Sequence, residues 1–282
     1  MGISKYPSKT HLPHPNPGFS TVFEYLIEKF SAIEVDVWRS RITDGKVHWL
    51  NGELIGLDTV YRSQQCVCYY REVEREPVIP FQESIVFQNE HILVADKPHF
   101  LPVTPGGKYV DECLQNRLRK KTGIDSLQAL HRLDRETAGL VLFSKKEKSR
   151  PQYHELFAQR KIQKTYSAIA EIKAGDELVG QEWCVKNRIV ESNPKFLMQI
   201  VDGEINSHSI IRCVSQDGTR ALFELLPVTG KTHQLRLHMQ SLGWPILNDK
   251  FYPQLLAETA DKFSSPLQLL AKELQFVDPI TQ

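Results

Sequence analysis

Two strand-like runs, residues 207–215 and 219–228, flank the dipeptide Asp217-Gly218. An Asp-Gly pair between such runs is a strong hairpin signal, because the tight turn matching strand twist needs residues at ease with positive φ. Residues 84–87 and 91–95 read as a second hairpin. Residues 140–144, after Gly139, and 164–172 read as further strands. Helical spacing interrupts them singly: residues 111–121, the set Tyr153, Leu156, Phe157 and Arg160, and a segment with Thr232 as N-cap that stops at Gly243. Strands outnumber helices and mostly meet through short turns. That predicts an α+β domain with a mixed, mainly antiparallel sheet rather than a doubly wound one.

The front of the chain reads differently. Residues 1–19 are proline-rich without periodicity and predict an irregular arm. Thr21 with Glu24 forms a capping box, followed by Phe23, Leu26, Ile27 and Phe30 at helical spacing. Residues 47–50 run into the turn dipeptide Asn51-Gly52, and residues 60–61 and 67–70 are strand-like. Residues 20–75 are therefore expected to be a small α+β module. The charged, proline-bounded stretch that follows predicts a linker at 76–83, and residues 84–282 predict the larger domain.

A chain of 282 residues, 41% hydrophobic and 24% charged, is long enough to bury a core without disulfides or a structural metal. Cys66, Cys68, Cys113, Cys184 and Cys213 are odd in number and scattered, with no C-x-x-C pair. They predict reduced thiols in a cytoplasmic protein rather than a metal site. No apolar run approaches the ~20 residues of a membrane span. No basic-then-apolar leader opens the sequence, and Tyr6 stands where a myristoylation start wants Ser or Thr. The expectation is no membrane association. Net charge is +1, yet residues 117–164 hold thirteen Lys/Arg against five acids. Such a block suits a polyanion-binding face, and it also suits a solvated surface.

Several chemistries lose ground. Gly230-Lys231-Thr232 resembles the end of a phosphate loop, but Leu225 stands where its first glycine belongs. His131-Arg132-Leu133-Asp134 has the wrong order for a kinase catalytic loop, and no glycine-rich loop accompanies it. His233 and His238, five apart, fall on different helix faces, which disfavours a shared metal. What remains is Asp134, between Arg132 and Arg135 in a polar turn just before an apolar strand. A carboxylate so placed should stay ionised and well oriented, as a nucleophile must. On these residues alone, a structural Asp paired with either arginine remains open.

The stretch 131–142 closely resembles the H-R-L-D-x-x-T-S-G-L-L-L motif of the RluA family of RNA pseudouridine synthases. Four further segments resemble that family in order: Lys97-Pro98, Lys164 to Ala168 (K-x-Y-x-A), Thr229 to Met239 (T-G-R-T-H-Q-I-R-x-H) and the final strand region from Leu267. Ala138 replaces the motif's Ser, Lys231 its Arg, and Ala95-Asp96 the usual Val-Asn. Residues 38–70 are similar to a small S-four-type RNA-binding module. Residues 1–80 carry nine Lys/Arg against ten acids, leaving Arg39 and Arg41 as its one expected patch.

The resemblance implies the pseudouridine synthase fold. It implies isomerisation of uridine in a ribosomal or transfer RNA stem-loop by a monomer, with no cofactor and no metal. It implies that Asp134 is the catalytic carboxylate, attacking covalently or acting as a base. It implies that Tyr166 stacks on uracil, that Arg236 pairs with Asp134 and that Arg132 fills space near the extruded base. His131, Lys231, His233 and Leu235 are expected to bind substrate, and Lys145, Lys146, Lys148 and Arg150 the flanking phosphates. Two rivals are an RNA-binding module that has lost catalysis and a hydrolase using Glu136 as a second carboxylate.

Overall fold

The capping box at Thr21 forms: its hydroxyl accepts the Glu24 N–H at 3.1 Å, and the Glu24 carboxylate accepts the Thr21 N–H at 3.2 Å. The computed structural model describes residues 2–73, 75–256 and 261–282. Met1 of the expected arm, Glu74 of the expected module and residues 257–260 of the expected larger domain lie outside the described residues.

The chain divides into two compact units, Met1–Pro77 with Pro105–Asp111, and Val78–Thr104 with Glu112–Gln282. The first holds β1 (Gly2–Ile3), β2 (Ser8–His11), α1 (Val22–Lys29), α2 (Val35–Thr43), β3 (Val47–Trp49), β4 (Cys66–Tyr69) and β5 (Glu72–Val73). β2, β4 and β3 form an antiparallel sheet in that order. Val22 and Leu26 of α1, Trp38 of α2 and Val47 and Val67 of the sheet fill its core. The expected arm is thus partly a strand, because β4 has a free edge whose backbone groups need partners. Arg41 is buried beside Glu72, so the expected patch shrinks to Arg39.

The expected linker is largely built into the second unit. Ile79 is buried, and Arg117 donates to the Ile79 and Phe81 carbonyls at 2.7 Å each. This unit contains β6 (Ser84–Gln88), β7 (Ile92–Lys97), α3 (Leu114–Thr122), β8 (Gln128–Ala129), β9 (Ala138–Ser144), α4 (Arg150–Ala158), β10 (Gln163–Glu171), β11 (Glu182–Glu191), β12 (Met198–Val201), β13 (Ser207–Asp217), β14 (Arg220–Pro227), α5 (Gln234–Ser241) and β15 (Leu269–Gln275). One sheet runs β12-β11-β13-β14-β10-β15-β9-β7-β6, with β8 beside β9. Among the described residues only β9 and β15 pair in parallel; the other pairs are antiparallel. This is the α+β, mainly antiparallel architecture expected.

Two local features place the site. Gly139 has φ +114°, and a Cβ there would lie 2.2 Å from the Ala271 carbonyl oxygen. Only glycine lets β9 start against β15, so the turn bearing Asp134 enters the sheet here. The second feature is the start of α5. Thr232 is not its cap; His233 is the N-cap residue, at φ +55°, without a capping side chain. The buried Gln234 side chain does the fixing instead. It accepts from Thr229 Oγ1 at 2.7 Å and Lys231 N at 3.0 Å, and donates to the His208 carbonyl at 2.9 Å.

Candidate active site

Asp134 lies in the turn before β9, its side chain 27% exposed. Its sequence neighbours are not its partners. Arg135 turns away to Asp261, with two bonds of 2.8 and 2.9 Å, and to Glu136. Arg132 is exposed. Adjacent residues in a turn point in different directions, so flanking in sequence was a poor guide to pairing.

The guanidinium near Asp134 is Arg236 of α5, its Nη1 3.5 Å from Asp134 Oδ2. Arg236 is 1% exposed and held by Asp249, through Nε at 2.8 Å and Nη2 at 2.5 Å. Asp249 in turn accepts the backbone N–H groups of Phe251 and Tyr252. The Phe251 ring centre lies 4.6 Å from Arg236 Cζ, and that of Tyr252 5.3 Å away. Burial works against the Arg236 charge, but the hydrogen bonds and charge of Asp249, with Asp134 behind, raise its pKa overall. It is a fixed cation behind the carboxylate.

Tyr166 completes the group. It sits on β10, opposite Leu225 of β14 and Ala271 of β15. Burial, and then the charge of Asp134, push its hydroxyl above the usual tyrosine range. It therefore stays a neutral phenol, suited to stacking. His233 Nε2 lies 3.8 Å from Asp134 Oδ2, and its Nδ1 2.9 Å from the Tyr252 hydroxyl. Burial lowers the His233 pKa, so the ring is neutral near pH 7. Asp134, Arg236, Tyr166 and His233 are thus brought together by β10, α5 and the turn before β9.

Residues 91–241 match the model of a family described as RNA pseudouridylate synthase. Over 219 residues the chain is 32% identical to the dual-specificity RNA pseudouridine synthase RluA of Haemophilus influenzae, covering 74% of this chain and 93% of that protein. The chain belongs to the RluA family of RNA pseudouridine synthases. It is also 28% identical over 234 residues to the mitochondrial tRNA pseudouridine(32) synthase of Saccharomyces cerevisiae, covering 81% of this chain and 49% of that one. It spans about half the length of that relative, and 41% of a human pseudouridylate synthase to which it is 29% identical. Among solved structures, human RNA pseudouridylate synthase domain containing 4 is similar, with 26% identity and a TM-score of 0.53, covering 68% of this chain and 83% of that one.

Other residues that the resemblance to the RluA family singled out have different surroundings. Leu235 is 8% exposed and packs in the core with Ala168 and Phe223. His131 accepts the Leu142 N–H on Nε2 at 3.1 Å and lies against Phe157, and burial lowers its pKa to about 3. It fastens β9 rather than facing the Asp134 group. Lys231 is exposed; its backbone N–H is held by Gln234. In the basic cluster, Lys145 donates to the Asn89 carbonyl at 2.5 Å, Arg150 to the Ser126 carbonyl at 2.7 Å, and Lys146 pairs with Glu90. Lys148 is exposed and, among the described residues, unpaired.

Two groups at the site were given no role there from the sequence. Asp249 is one; a buried arginine on a largely apolar helix calls for a buried acid, but nothing local says which. Lys97 is the other. Fully buried, it donates to the carbonyls of Pro98, Leu101 and Arg135 at 2.9, 2.7 and 3.1 Å, fixing the turn beside Asp134. Burial lowers its pKa to about 7, against the pull of Glu136 and Asp134. Among the described residues no group of three acidic, His or Cys side chains could hold a metal, no disulfide joins the five cysteines, and no helix is long and apolar enough to cross a membrane.

Proposed function

We propose that this chain isomerises uridine to pseudouridine within structured RNA, with Asp134 as the catalytic carboxylate. One observation carries the reading: a part-exposed carboxylate faces a fixed guanidinium at 3.5 Å beside a neutral, half-buried phenol. The C1′–N1 bond of the nucleotide breaks, the uracil turns, and a C1′–C5 bond forms. The proton leaving C5 is balanced by one taken at N1, so no atom is gained. Asp134 faces the sugar, as carboxylates do at developing sugar cations in glycosidases, either attacking or acting as a base. Arg236 keeps it aimed. Tyr166 supplies an aromatic face for the uracil, and Arg132 is free to occupy the space the base vacates. A stacked base cannot reach this turn, so the nucleotide flips out, at a cost of a few kcal/mol that is least in a loop.

The relatives' names speak of transfer RNA and of dual specificity, which supports a transfer or ribosomal RNA stem-loop as substrate. We place the protein in the cytoplasm, where free thiols persist, and acting as a monomer. A hydrolase would need a second working carboxylate. Glu136 is 9% exposed and paired with Arg135, and Asp249 is committed to Arg236. The test is to incubate the protein with RNA from cells lacking it and map pseudouridine by base-resolution sequencing. New pseudouridine with the wild type and none with Asp134→Asn is the expected result. Release of free uracil, or no change in any RNA, overturns it.

A further inference from the structure

Lys164 stands on β10 two residues before Tyr166. The two share the same alternation along β10, about 7 Å apart, with the pairing to β15 shifting register between Thr165 and Tyr166. The Lys164 amine also reaches the loop that leads into α5, since a Cβ built on Gly230 would lie 3.5 Å from Nζ. Its charge acts on His131, in the segment that carries Asp134. One amine therefore sits among the three segments that build the site.

That amine is half-buried and, among the described residues, makes no hydrogen bond or ion pair. The buried cations of the Asp134 site are committed: Arg236 to Asp249 and Lys97 to three carbonyls. Burial depresses the Lys164 pKa, and no acid offsets it. A cation partly stripped of water and left without a counter-charge is unfavourable until an anion arrives. The substrate offers one in the right place. The groups joined directly to the target ribose, at O5′ and O3′, are phosphodiesters. Gly230 presents no side chain to block an approach to the amine.

Resting on the isomerase reading, we propose that Lys164 binds a phosphodiester joined to the target nucleotide, seating its ribose against Asp134. This separates it from Lys148, whose exposed charge has no fixed place relative to the flipped base. Lys164 is a positioning residue: it acts on the phosphate and leaves the glycosidic bond to Asp134.

The experiment uses a stem-loop oligonucleotide around a uridine that the wild type converts. Kinetics are compared for wild type, Lys164→Gln and Lys164→Arg, with all-phosphate RNA and with an uncharged methylphosphonate at the 5′ or 3′ linkage of the target. Lys164→Gln should raise KM about tenfold, leave kcat within a few fold and lower the salt slope by about one. Lys164→Arg should recover most of the KM. At one of the two linkages the methylphosphonate should weaken the wild type to a similar degree and Lys164→Gln no further. A wild-type KM in Lys164→Gln overturns the proposal. So does a wild type indifferent to methylphosphonate at both linkages, a result that needs no folded variant. If the wild type converts no uridine in any RNA, the isomerase reading has failed instead.

Discussion

Arg236 turns Nη1 toward Asp134 Oδ2 at 3.5 Å although 102 residues separate them in the chain. Its other two nitrogens are committed to Asp249. The guanidinium thus serves two carboxylates unequally: one anchors it at full burial, and the other, part-exposed, stays available at longer range. The anchor removes the freedom that would let Arg236 collapse onto Asp134 and block it.

Removing the anchor should therefore cost both stability and turnover. Asp249→Ala leaves a buried arginine without its main counter-charge, a loss of roughly 3–5 kcal/mol in such cases. Urea denaturation should show this. The double variant Arg236→Met with Asp249→Leu should recover most of that stability while making no pseudouridine. If the double variant is as unstable as the single one, the cost is packing rather than unpaired charge.

Asp134→Asn should behave in the opposite way. Its one guanidinium contact is long and its side chain is 27% exposed, so stability should move by less than about 1 kcal/mol. Turnover should fall by on the order of 10⁴ or more if the carboxylate is the reacting group. Melting curves and quantitative pseudouridine mapping on one preparation separate the two effects. RNA binding, read by filter retention, should remain.

How much of this was legible in the sequence depends on the range of the interaction. The Thr21 capping box and the Asp217-Gly218 turn were readable because each is settled within four residues. Strand β11 was missed because its buried Val185 and Ile189 are four apart, a spacing that fits a helix as well as a strand. Asp134 was readable, and its pairing with Arg236 came from the family resemblance; the local sequence alone offered the neighbouring arginines, of which Arg135 turns to Asp261. Asp249 left no periodic trace at all. The charge count over 117–164 could not show that backbone carbonyls take up Lys145 and Arg150. Burial and long-range pairing decide these points, and neither is a property of a local window.

Gly139→Ala should be among the most damaging single substitutions. The residue sits at φ +114°, and a Cβ there would lie 2.2 Å from a backbone oxygen of β15 that cannot rotate away. Positive φ and overpacking act together, and a loss above about 4 kcal/mol is expected. Circular dichroism with soluble yield checks it; a variant melting like the wild type would mean that β9 and β15 do not meet as described.

His131 predicts an acid sensitivity unconnected with catalysis. Burial lowers its folded pKa to about 3, so it stays neutral in the fold. The unfolded chain binds its proton near the ordinary value of 6.5. Between these values the unfolded state holds more protons, so stability falls as pH drops from about 6.5 toward 3. Between pH 6.5 and 5 this one group should contribute up to about 2 kcal/mol of loss. His131→Gln should flatten that part of the stability-versus-pH curve, and its kcat at pH 7.5 should stay within a few fold of the wild type. An unchanged acid slope, or an inactive but stable variant, would return His131 to the substrate side.

Salt dependence tests which lysines of the basic cluster meet RNA. Counterion release makes log affinity fall with log salt by about 0.7–0.9 for each phosphate neutralised. Lys145 and Arg150 donate to carbonyls of their own unit and Lys146 pairs with Glu90, so their charges are already engaged. Lys148 projects from the surface with none of these ties. Lys148→Glu should therefore lower the slope by one to two, whereas Lys145→Ala should leave the slope nearly unchanged and instead destabilise the β7–β9 region by freeing the Asn89 carbonyl. Filter binding from 50 to 300 mM salt distinguishes them, and equal slope changes for both would mean that Lys145 leaves its carbonyl when RNA binds.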